Sequence, residues 1–401
     1  MNLHSPLAYF ALMAVVLSLA ALPWFRFLDE PQASDTRYAT VDGLRGFLAL
    51  GVFAFHVVVV RGFIETGRWE APTDGFYSLL GPIGVSVFFM LTGFLFWGKL
   101  LRAQGRMRWT ALYIGRLFRI GPMYLAVVLV MLGSVAWRSG FVLHEPGNVV
   151  MASVLQWLAL GMVDTQPDVN GIQATHVLAG VTWTIAYEWA FYASLPLSAV
   201  FARSRGHLLF VLAALTLCLA AKTWWKVDAF GFAALFLMGM CVASLLHERV
   251  IPRLSDAASS SVALLCLAAI FATSRSGYGT WAGLALACVF YLVCCGTTLF
   301  GLLVGTTSQR LGRISYSLYL MQGLVLTLVF AAPPLRAFAL ATAPGHWAVA
   351  TLGACVLLLS AALGYALIEK PGIALSQRFT RRVNAWRARR SALGMAHRES
   401  A

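Results

Sequence analysis

The stretch LRGFLALGVFAFHVVVV, residues 44–60, is apolar apart from an arginine near one end and a histidine near the other. In an α-helix, the eleven residues from Arg45 to His56 make about three turns and rise about 16 Å, so both side chains lie on one face. The run is close to the roughly 20 residues that cross a bilayer. We therefore predict a membrane-spanning helix that carries two ionisable groups along a single face.

The composition of the whole chain is that of an integral membrane protein. Hydrophobic residues make up 60% of its 401 residues and charged residues only 11%, whereas soluble globular domains carry about 25% charged residues. The mean hydropathy is +0.76. So few charges cannot cover a soluble core of this size, which excludes a soluble globular protein. The seven cysteines lie inside apolar runs without metal-ligand spacing, and we predict neither a metal site nor a permanently bound cofactor.

The net charge of +14 is concentrated in two segments, 99–119 and 378–390, that contain no acidic residue. Basic clusters beside membrane spans mark the cytoplasmic side, so the charge predicts a lipid bilayer as partner and no nucleic acid. The basic residues of these clusters are Lys99, Arg102, Arg106, Arg108, Arg116, Arg119, Arg378, Arg381, Arg382, Arg387, Arg389 and Arg390.

The charge distribution also predicts the number of spans. An even number of spans must separate two cytoplasmic clusters, yet nine apolar runs lie between them. The run 149–162 has only about fourteen residues, a length that suits an interfacial helix, and we exclude it. The prediction is an all-α polytopic membrane helix bundle of about eleven spans, with the N-terminus outside and the C-terminus cytoplasmic. The predicted spans are 6–25, 44–60, 80–98, 120–137, 181–201, 207–221, 229–246, 260–273, 280–304, 314–331 and 347–368.

This pattern divides the chain into three parts. Residues 1–40 are predicted to form an additional N-terminal span and linker, and residues 41–375 a transmembrane core. Residues 376–401 are predicted to form a basic cytoplasmic tail.

Ionisable residues inside spans are costly, and they are candidates for function by default. Besides Arg45 and His56, Glu188 lies in a predicted span, about two turns from its external end. Arg116 and Arg119 are three residues apart, so they share a helix face at the predicted cytoplasmic entrance of a span. Two guanidinium groups on one face can bind phosphates bidentately. Buried structural hydrogen bonds for His56 and Glu188, and simple topological anchoring for the arginines, remain open alternatives.

Several motifs together resemble the acyltransferase-3 family, the multi-span membrane acyltransferases that modify glycans and other cell-envelope molecules. The family's first motif, a basic residue and a histidine separated by ten residues, is similar to Arg45 and His56. The resemblance runs in order from about residue 41 to 371 and includes the stretches LGRISYSLYLMQ (311–322) and IEKP (368–371). The other matching residues are Asp42, Gly43, Gly84, Phe88, Phe89, Thr92, Gly93, Phe94, Arg116, Arg119, Pro122, Tyr124, Trp183, Thr184, Glu188, Phe191, Tyr192 and Pro196.

The resemblance implies a membrane O-acyltransferase of the bacterial inner membrane. It would move an acyl group, on family grounds acetyl, from cytoplasmic acyl-CoA to a hydroxyl of an extracytoplasmic acceptor such as a cell-envelope glycan. His56 would act as general base or as transiently acylated nucleophile.

The other candidates have supporting roles in this hypothesis. Glu188, placed near the external end, would orient His56. Arg45, Arg116 and Arg119 would hold the donor phosphates, and Arg45 is also counted with the catalytic group. The acceptor-binding candidates are Trp183, Tyr187, Asp164 and Asp168. For the external loop that holds the two aspartates, a polar surface that merely shields the bundle is an equal alternative.

The sequence departs from the family at Gln322, where the family often has a histidine. No soluble domain follows the core, so the protein would transfer its acyl group unaided or hand it to a separate extracytoplasmic transferase. A non-enzyme alternative is a transporter or flippase of a lipid-linked glycan that uses His56 and Glu188 as a proton or substrate site. A third alternative is an assembly subunit that receives acyl groups from another enzyme.

Overall fold

The computed structural model describes residues 3–29, 36–73, 75–163 and 165–399, with side chains omitted for 36–38 and 385–399. Within the described residues every regular element is a helix, which confirms the predicted all-α class. The α-helices, numbered in chain order, are α1 Pro6–Ala21, α2 Thr36–Thr66, α3 Tyr77–Arg102, α4 Trp109–Arg138, α5 Gly147–Leu158, α6 Ala174–Val177, α7 Trp183–Ser198, α8 His207–Trp225, α9 Asp228–His247, α10 Asp256–Thr273, α11 Thr280–Cys294, α12 Thr306–Arg313, α13 Ser315–Ala331, α14 Pro333–Ala341, α15 Ala343–Gly364 and α16 Lys370–Glu399.

The helices make this a multi-pass membrane protein. Seven described helices are long and apolar enough to cross a bilayer, and the pair α12–α13, bent by 68°, would be an eighth. Three further predicted spans correspond to the shorter helices α1, α7 and α11, of 16, 16 and 15 residues. The predicted total of eleven equals these eight and three together. It stays a prediction, as does the orientation of the termini.

The predicted span 280–304 is not one helix. Helix α11 ends at Cys294, and the chain turns through Gly296 and Gly301, both with positive φ, into a short 3-10 helix at Leu302–Val304. The carboxylate of Asp256 holds this turn, because it accepts hydrogen bonds from the backbone N and the hydroxyl of Thr298, both at 2.7 Å. Glycine and the long-range hydrogen bonds to Asp256 end the helix although the sequence stays apolar.

Helix α3 lies at the centre of the bundle, packed between α2 and α9. Its contact with α9 is close because both helices carry glycine there. A Cβ on Gly93 would lie 2.1 Å from the carbonyl oxygen of Phe236, and one on Gly239 would lie 1.8 Å from that of Met90. Small residues let membrane helices approach backbone to backbone. This packing makes α3 a wall between two sides of the bundle, each of which holds a cavity.

The N-terminal helix α1 is attached to the bundle by a buried arginine. Arg310 of α12 donates to both carboxylate oxygens of Asp29, at 2.7 and 2.8 Å, and to the carbonyl oxygen of Ala20 at 2.7 Å. The hydrogen bond from Arg310 lowers the pKa of Asp29 below its usual range. These contacts, called the Asp29–Arg310 clamp below, fix α1 against the helix that follows the turn at 295–305.

Candidate active site

A cavity of about 510 Å³ lies among α2, α3, α4, α7, α13 and α16. It brings together four residues that the sequence analysis selected, Arg45, Arg116, Arg119 and Glu188. Most of the remaining lining is aromatic or aliphatic, with Phe88 as an example. The structure therefore gathers the predicted ionisable groups of three different helices into one partly apolar chamber, which we call the arginine cavity.

Arg116 stacks on aromatic rings inside this cavity. Its guanidinium carbon lies 4.9 Å from the ring centroid of Phe96 and 5.9 Å from that of Tyr192. Within the described residues, no carboxylate lies within salt-bridge distance of Arg116. Cation–π contacts of this kind orient a guanidinium without neutralising it. Arg116 is thus a fixed positive charge that faces the cavity and can accept an anionic ligand.

Arg119 has a different environment, because it forms an ion pair with Glu369. The Glu369 side chain is fully buried, at 0% exposure, and its second oxygen accepts a hydrogen bond of 2.7 Å from Ser317. The Arg119 guanidinium also lies 5.8 Å from the ring of Tyr316. One side of Arg119 is therefore committed to the fold, and the other side lines the cavity.

Glu188 and Arg45 complete the polar part of the cavity. The carboxylate of Glu188 accepts a hydrogen bond of 2.8 Å from the hydroxyl of Tyr192, and it lies within the electrostatic field of Arg45, Arg116 and Arg119. Arg45 is only 22% exposed and lies 3.4 Å from Asp42, one turn away on α2. Three guanidinium groups and one carboxylate thus face the same chamber.

His56 does not line the arginine cavity. The ring is 9% exposed, and its Nδ1 lies 2.9 Å from the carbonyl oxygen of Val52. A carbonyl can only accept, so Nδ1–H donates and Nε2 keeps its lone pair in the neutral ring. Tyr319 lines the cavity, and Gln322, one turn further along α13, lies beside the His56 ring. His56 is therefore separated from the chamber by about one helical turn of side chains.

Gln322 is fully buried, and only one of the two polar groups of its amide forms a hydrogen bond. Its amide nitrogen donates to the carbonyl oxygen of Tyr319 at 2.9 Å, whereas its Oε1 has no hydrogen-bond partner among the described residues. Such an orphan acceptor is unusual in a buried position. It lies next to His56, where the sequence departs from the family motif.

The structure places Glu188 in the arginine cavity, which His56 does not line. The role of Glu188 in orienting His56 stays a prediction. Trp183, the first residue of α7, packs edge-on against Phe89 halfway along α3, with ring centroids 6.2 Å apart. Helix α7 thus starts in the middle of the bundle and not at its external end. Five residues further on, about 7.5 Å along the axis, Glu188 lies among the arginines. In the described structure no hydrogen bond joins it to His56.

Comparison with known proteins assigns the chain to a family. The model of the acyltransferase-3 family, described as an acyltransferase domain, matches residues 38–367, which is most of the chain. The chain belongs to this family. It is therefore a membrane acyltransferase. Of the six helices that build the arginine cavity, α16 begins after the end of the matched region, and the other five lie within it apart from the first two residues of α2.

Two curated relatives of this acyltransferase have informative names. Acyltransferase MdmB of Streptomyces mycarofaciens is 28% identical over 169 residues, which are 40% of this chain and 39% of the relative. The membrane-bound transacylase BcsY of Komagataeibacter xylinus is 23% identical over 316 residues, or 74% of this chain and 75% of the relative. The chain thus spans about two fifths of MdmB and three quarters of BcsY. No solved structure matches.

Three of the predicted acceptor-binding residues of the acyltransferase, Trp183, Tyr187 and Asp168, do not line the cavity. Trp183 and Tyr187 pack in an aromatic cluster with Phe232, at centroid distances of 4.9 and 5.0 Å. Asp168 is exposed in the segment that follows α5, near the ring of His176. Asp164 lies outside the described residues. Acceptor binding by these four residues remains a prediction.

Sequence reasoning missed Glu369, Tyr192 and Tyr319 as members of the site. The IEKP stretch places Glu369 at the end of a predicted span. An ionisable residue at the end of a span is a candidate for function, and this pattern could have identified Glu369. Its partner Arg119 is 250 positions away in sequence, so no local pattern indicated the pair. Ser376 and Gln377, assigned to the tail by sequence, also line the cavity.

Proposed function

We propose that this acyltransferase takes an acyl group, acetyl in particular, from cytoplasmic acyl-CoA and transfers it to a hydroxyl of an extracytoplasmic acceptor, a cell-envelope glycan of a bacterium. The observation that carries the proposal is the convergence of Arg45, Arg116 and Arg119 on one cavity of about 510 Å³. Three guanidinium groups in a partly apolar chamber suit a ligand with several phosphates and a long, weakly polar arm.

The arginine cavity would bind the donor by its phosphates. Arg116 has no acidic partner among the described residues, so its guanidinium is the best candidate for a charge-assisted contact to the diphosphate. Arg45 and the free side of Arg119 would bind the remaining phosphate oxygens. The aromatic and aliphatic walls would then surround the pantetheine arm, which carries the thioester toward Tyr319.

The acyl transfer itself would occur at His56. From Arg45 to His56 the helix rises about 16 Å, a distance that an extended pantetheine arm covers. With Nδ1–H held by Val52, the Nε2 lone pair can take the proton of the acceptor hydroxyl. The hydroxyl oxygen then attacks the thioester carbonyl, the C–S bond breaks, and the CoA thiolate leaves and takes up a proton. Alternatively Nε2 itself attacks first and holds the acyl group before the acceptor receives it.

The acceptor would reach His56 from the side opposite the arginines. At that end of α2, Trp69 stacks on His176 with a centroid distance of 4.6 Å and an interplanar angle of 13°. Asp168 lies close enough to act on the charge of His176, whose pKa is lowered by burial. Aromatic and acidic side chains together are a suitable surface for sugar hydroxyls.

The test uses purified protein in lipid nanodiscs with acetyl-CoA and candidate glycan acceptors, and it follows release of the CoA thiol together with acylation of the acceptor. His56→Ala should lose transfer by about 10²–10⁴-fold, as expected for a missing general base, and should still bind the donor. A matched control is His144→Ala, because His144 is an exposed loop residue that does not line the arginine cavity. Near-normal acylation by His56→Ala would contradict the proposed mechanism.

A further inference from the structure

A second cavity, of about 400 Å³, lies on the other side of α3 among α3, α9 and α11. Its rim carries three basic side chains, Arg102, His247 and Arg249, and its floor includes Phe94 and Cys294. None of these residues belongs to the arginine cavity or to the proposed transfer step. We call this chamber the rim cavity.

The two cavities are neighbours on α3. Leu95 lines both of them. Lys99, one turn further on, lies within the electrostatic field of Arg116 on one side and Arg102 on the other. Its Nζ is 5.2 Å from the ring of Phe96, which also stacks on Arg116. Lys99 therefore places a positive charge between Arg116 of the arginine cavity and Arg102 of the rim cavity.

The arginines of the rim cavity have no acidic partner. Among the described residues, no carboxylate lies within salt-bridge distance of Arg102 or Arg249. The adjacent Glu248 is engaged elsewhere, because its Oε1 lies 2.9 Å from Nε2 of His207. Uncompensated guanidinium groups above an apolar floor favour a ligand that combines a phosphate with a flat, weakly polar body.

The backbone also fixes the position of Arg249. Its amide N donates to the carbonyl oxygen of Leu246 at 3.1 Å, and the amide N of Val250 donates to that of Leu245 at 3.0 Å. This is the Schellman ending of a helix, in which the residue with left-handed backbone is usually glycine. Here an arginine with a φ of 59° occupies it. The rim cavity thus contains an arginine at a position where the backbone alone would favour glycine.

We propose that the rim cavity binds the nucleotide end of the acyl-CoA donor, with Arg102 and Arg249 on its 3′-phosphate and the apolar floor under its adenine. The proposal rests on the proposed function, since it extends the same donor beyond the arginine cavity. A phosphate monoester carries about two negative charges at pH 7, more than either phosphate of the diphosphate bridge. Two guanidinium groups without acidic partners match that charge, and Lys99 lies where the connecting chain would cross α3.

The experiment compares CoA with dephospho-CoA, which lacks only the 3′-phosphate, by equilibrium binding to the full-length protein in phosphatidylcholine nanodiscs. Wild-type protein should bind CoA about tenfold or more tightly than dephospho-CoA, because charge-assisted contacts of this kind are lost with the phosphate. The double variant Arg102→Gln/Arg249→Gln should bind the two ligands equally, with unchanged affinity for dephospho-CoA. Arg205→Gln is the matched control, since Arg205 is exposed at the same end of the bundle and lines neither cavity. It should keep the wild-type preference.

Equal affinity of the wild-type protein for both ligands would overturn the inference and leave the proposed function intact. A double variant that weakens binding of both ligands equally would also overturn it. If that loss appears only in nanodiscs that contain phosphatidylglycerol, the rim cavity binds a lipid headgroup instead. Absence of binding to either ligand by wild-type protein would overturn the proposed function, and this inference with it.

Discussion

Arg116 and Arg119 are three residues apart on α4, yet their environments differ and indicate different roles. Arg116 rests on the rings of Phe96 and Tyr192 with its charge uncompensated, whereas Arg119 is paired with the buried Glu369. A buried carboxylate that loses its partner is strongly destabilising. The two arginines should therefore fail in different ways when they are replaced.

We predict that Arg119→Gln lowers the free energy of unfolding by about 3 kcal/mol, because it leaves the Glu369 carboxylate buried with Ser317 as its remaining donor. The value lies at the low end for a broken buried pair, since Arg119 itself is 20% exposed. Denaturant unfolding in detergent measures it. Arg116→Gln is the control and should be nearly as stable as wild type. Wild-type stability of Arg119→Gln would mean that the ion pair contributes nothing to the fold.

We predict that Gln322→Met lowers turnover but not stability. The Gln322 amide makes one hydrogen bond, worth about 0.5–1.5 kcal/mol, but buries an unpaired oxygen at a cost of about 1–3 kcal/mol. That oxygen can accept the Nε2–H that His56 gains when it removes the acceptor proton, so its loss should reduce kcat with little change in donor KM. Kinetics and thermal unfolding of the same preparation test this. Lower stability with unchanged kcat would assign Gln322 to the fold alone.

At the scale of elements, the Asp29–Arg310 clamp attaches α1 and the 3-10 helix Pro23–Leu28 to α12. The clamp joins segments about 280 residues apart in sequence, which the sequence alone did not indicate. Asp29 lies in a connection and is 43% exposed, so the clamp is accessible to solvent protons.

We predict that docking of α1 weakens at acidic pH. The hydrogen bond from Arg310 lowers the pKa of Asp29 in the folded protein. The ionised carboxylate therefore stabilises the clamp fully at pH values above the pKa of an unfolded aspartate, about 3.9. That contribution is lost as the pH falls through the lower pKa that Asp29 has in the folded protein. Because Asp29 is partly exposed, the effect should stay below about 1 kcal/mol. Hydrogen exchange of residues 6–28 should rise at low pH, and in Asp29→Asn it should be raised already at pH 7 and vary less with pH. A pH response that persists in Asp29→Asn would assign the effect to another group.

Helices α7 and α11 show which properties of a helix the sequence did not predict, namely where it ends and how deep in the bundle it begins. Hydrophobicity located both, but it extended the span 280–304 ten residues past Cys294, where Gly296 and the bond to Asp256 end the helix. It also placed the start of α7 at the membrane surface, whereas Trp183 packs at mid-bundle. Depth within the bundle depends on tertiary packing, and no periodicity of a single segment contains that information.

At the scale of the whole molecule, the sequence located the arginine cavity better than the transfer site. Arg45, Arg116 and Arg119 lie near the ends of spans, where the positive-inside rule brings them to one side of the membrane, and the fold places them in one chamber. Glu188 lies in the same cavity because α7 begins at mid-bundle, which the sequence did not predict. The partners of long-range pairs, such as Glu369 with Arg119, required the three-dimensional structure.

We predict eleven spans with an external N-terminus and a cytoplasmic C-terminus. The short helices α1, α7 and α11 must then cross together with their flanking turns, and α5, of 12 residues, must not cross. Reporter fusions after Arg390 and within the 163–176 segment test the orientation, because the two sites should lie on opposite sides. A cytoplasmic position of the 163–176 segment would contradict the predicted topology.

Binding of CoA to the purified protein tests most directly whether the arginine cavity is the donor site. Arg116→Gln should weaken binding about tenfold or more, because it removes a charge-assisted contact worth about 1.5–3 kcal/mol. His56→Ala should bind CoA with wild-type affinity, since His56 does not line the cavity. Wild-type affinity in Arg116→Gln, or binding that depends on His56 and not on Arg116, would contradict the assignment of this cavity to the donor.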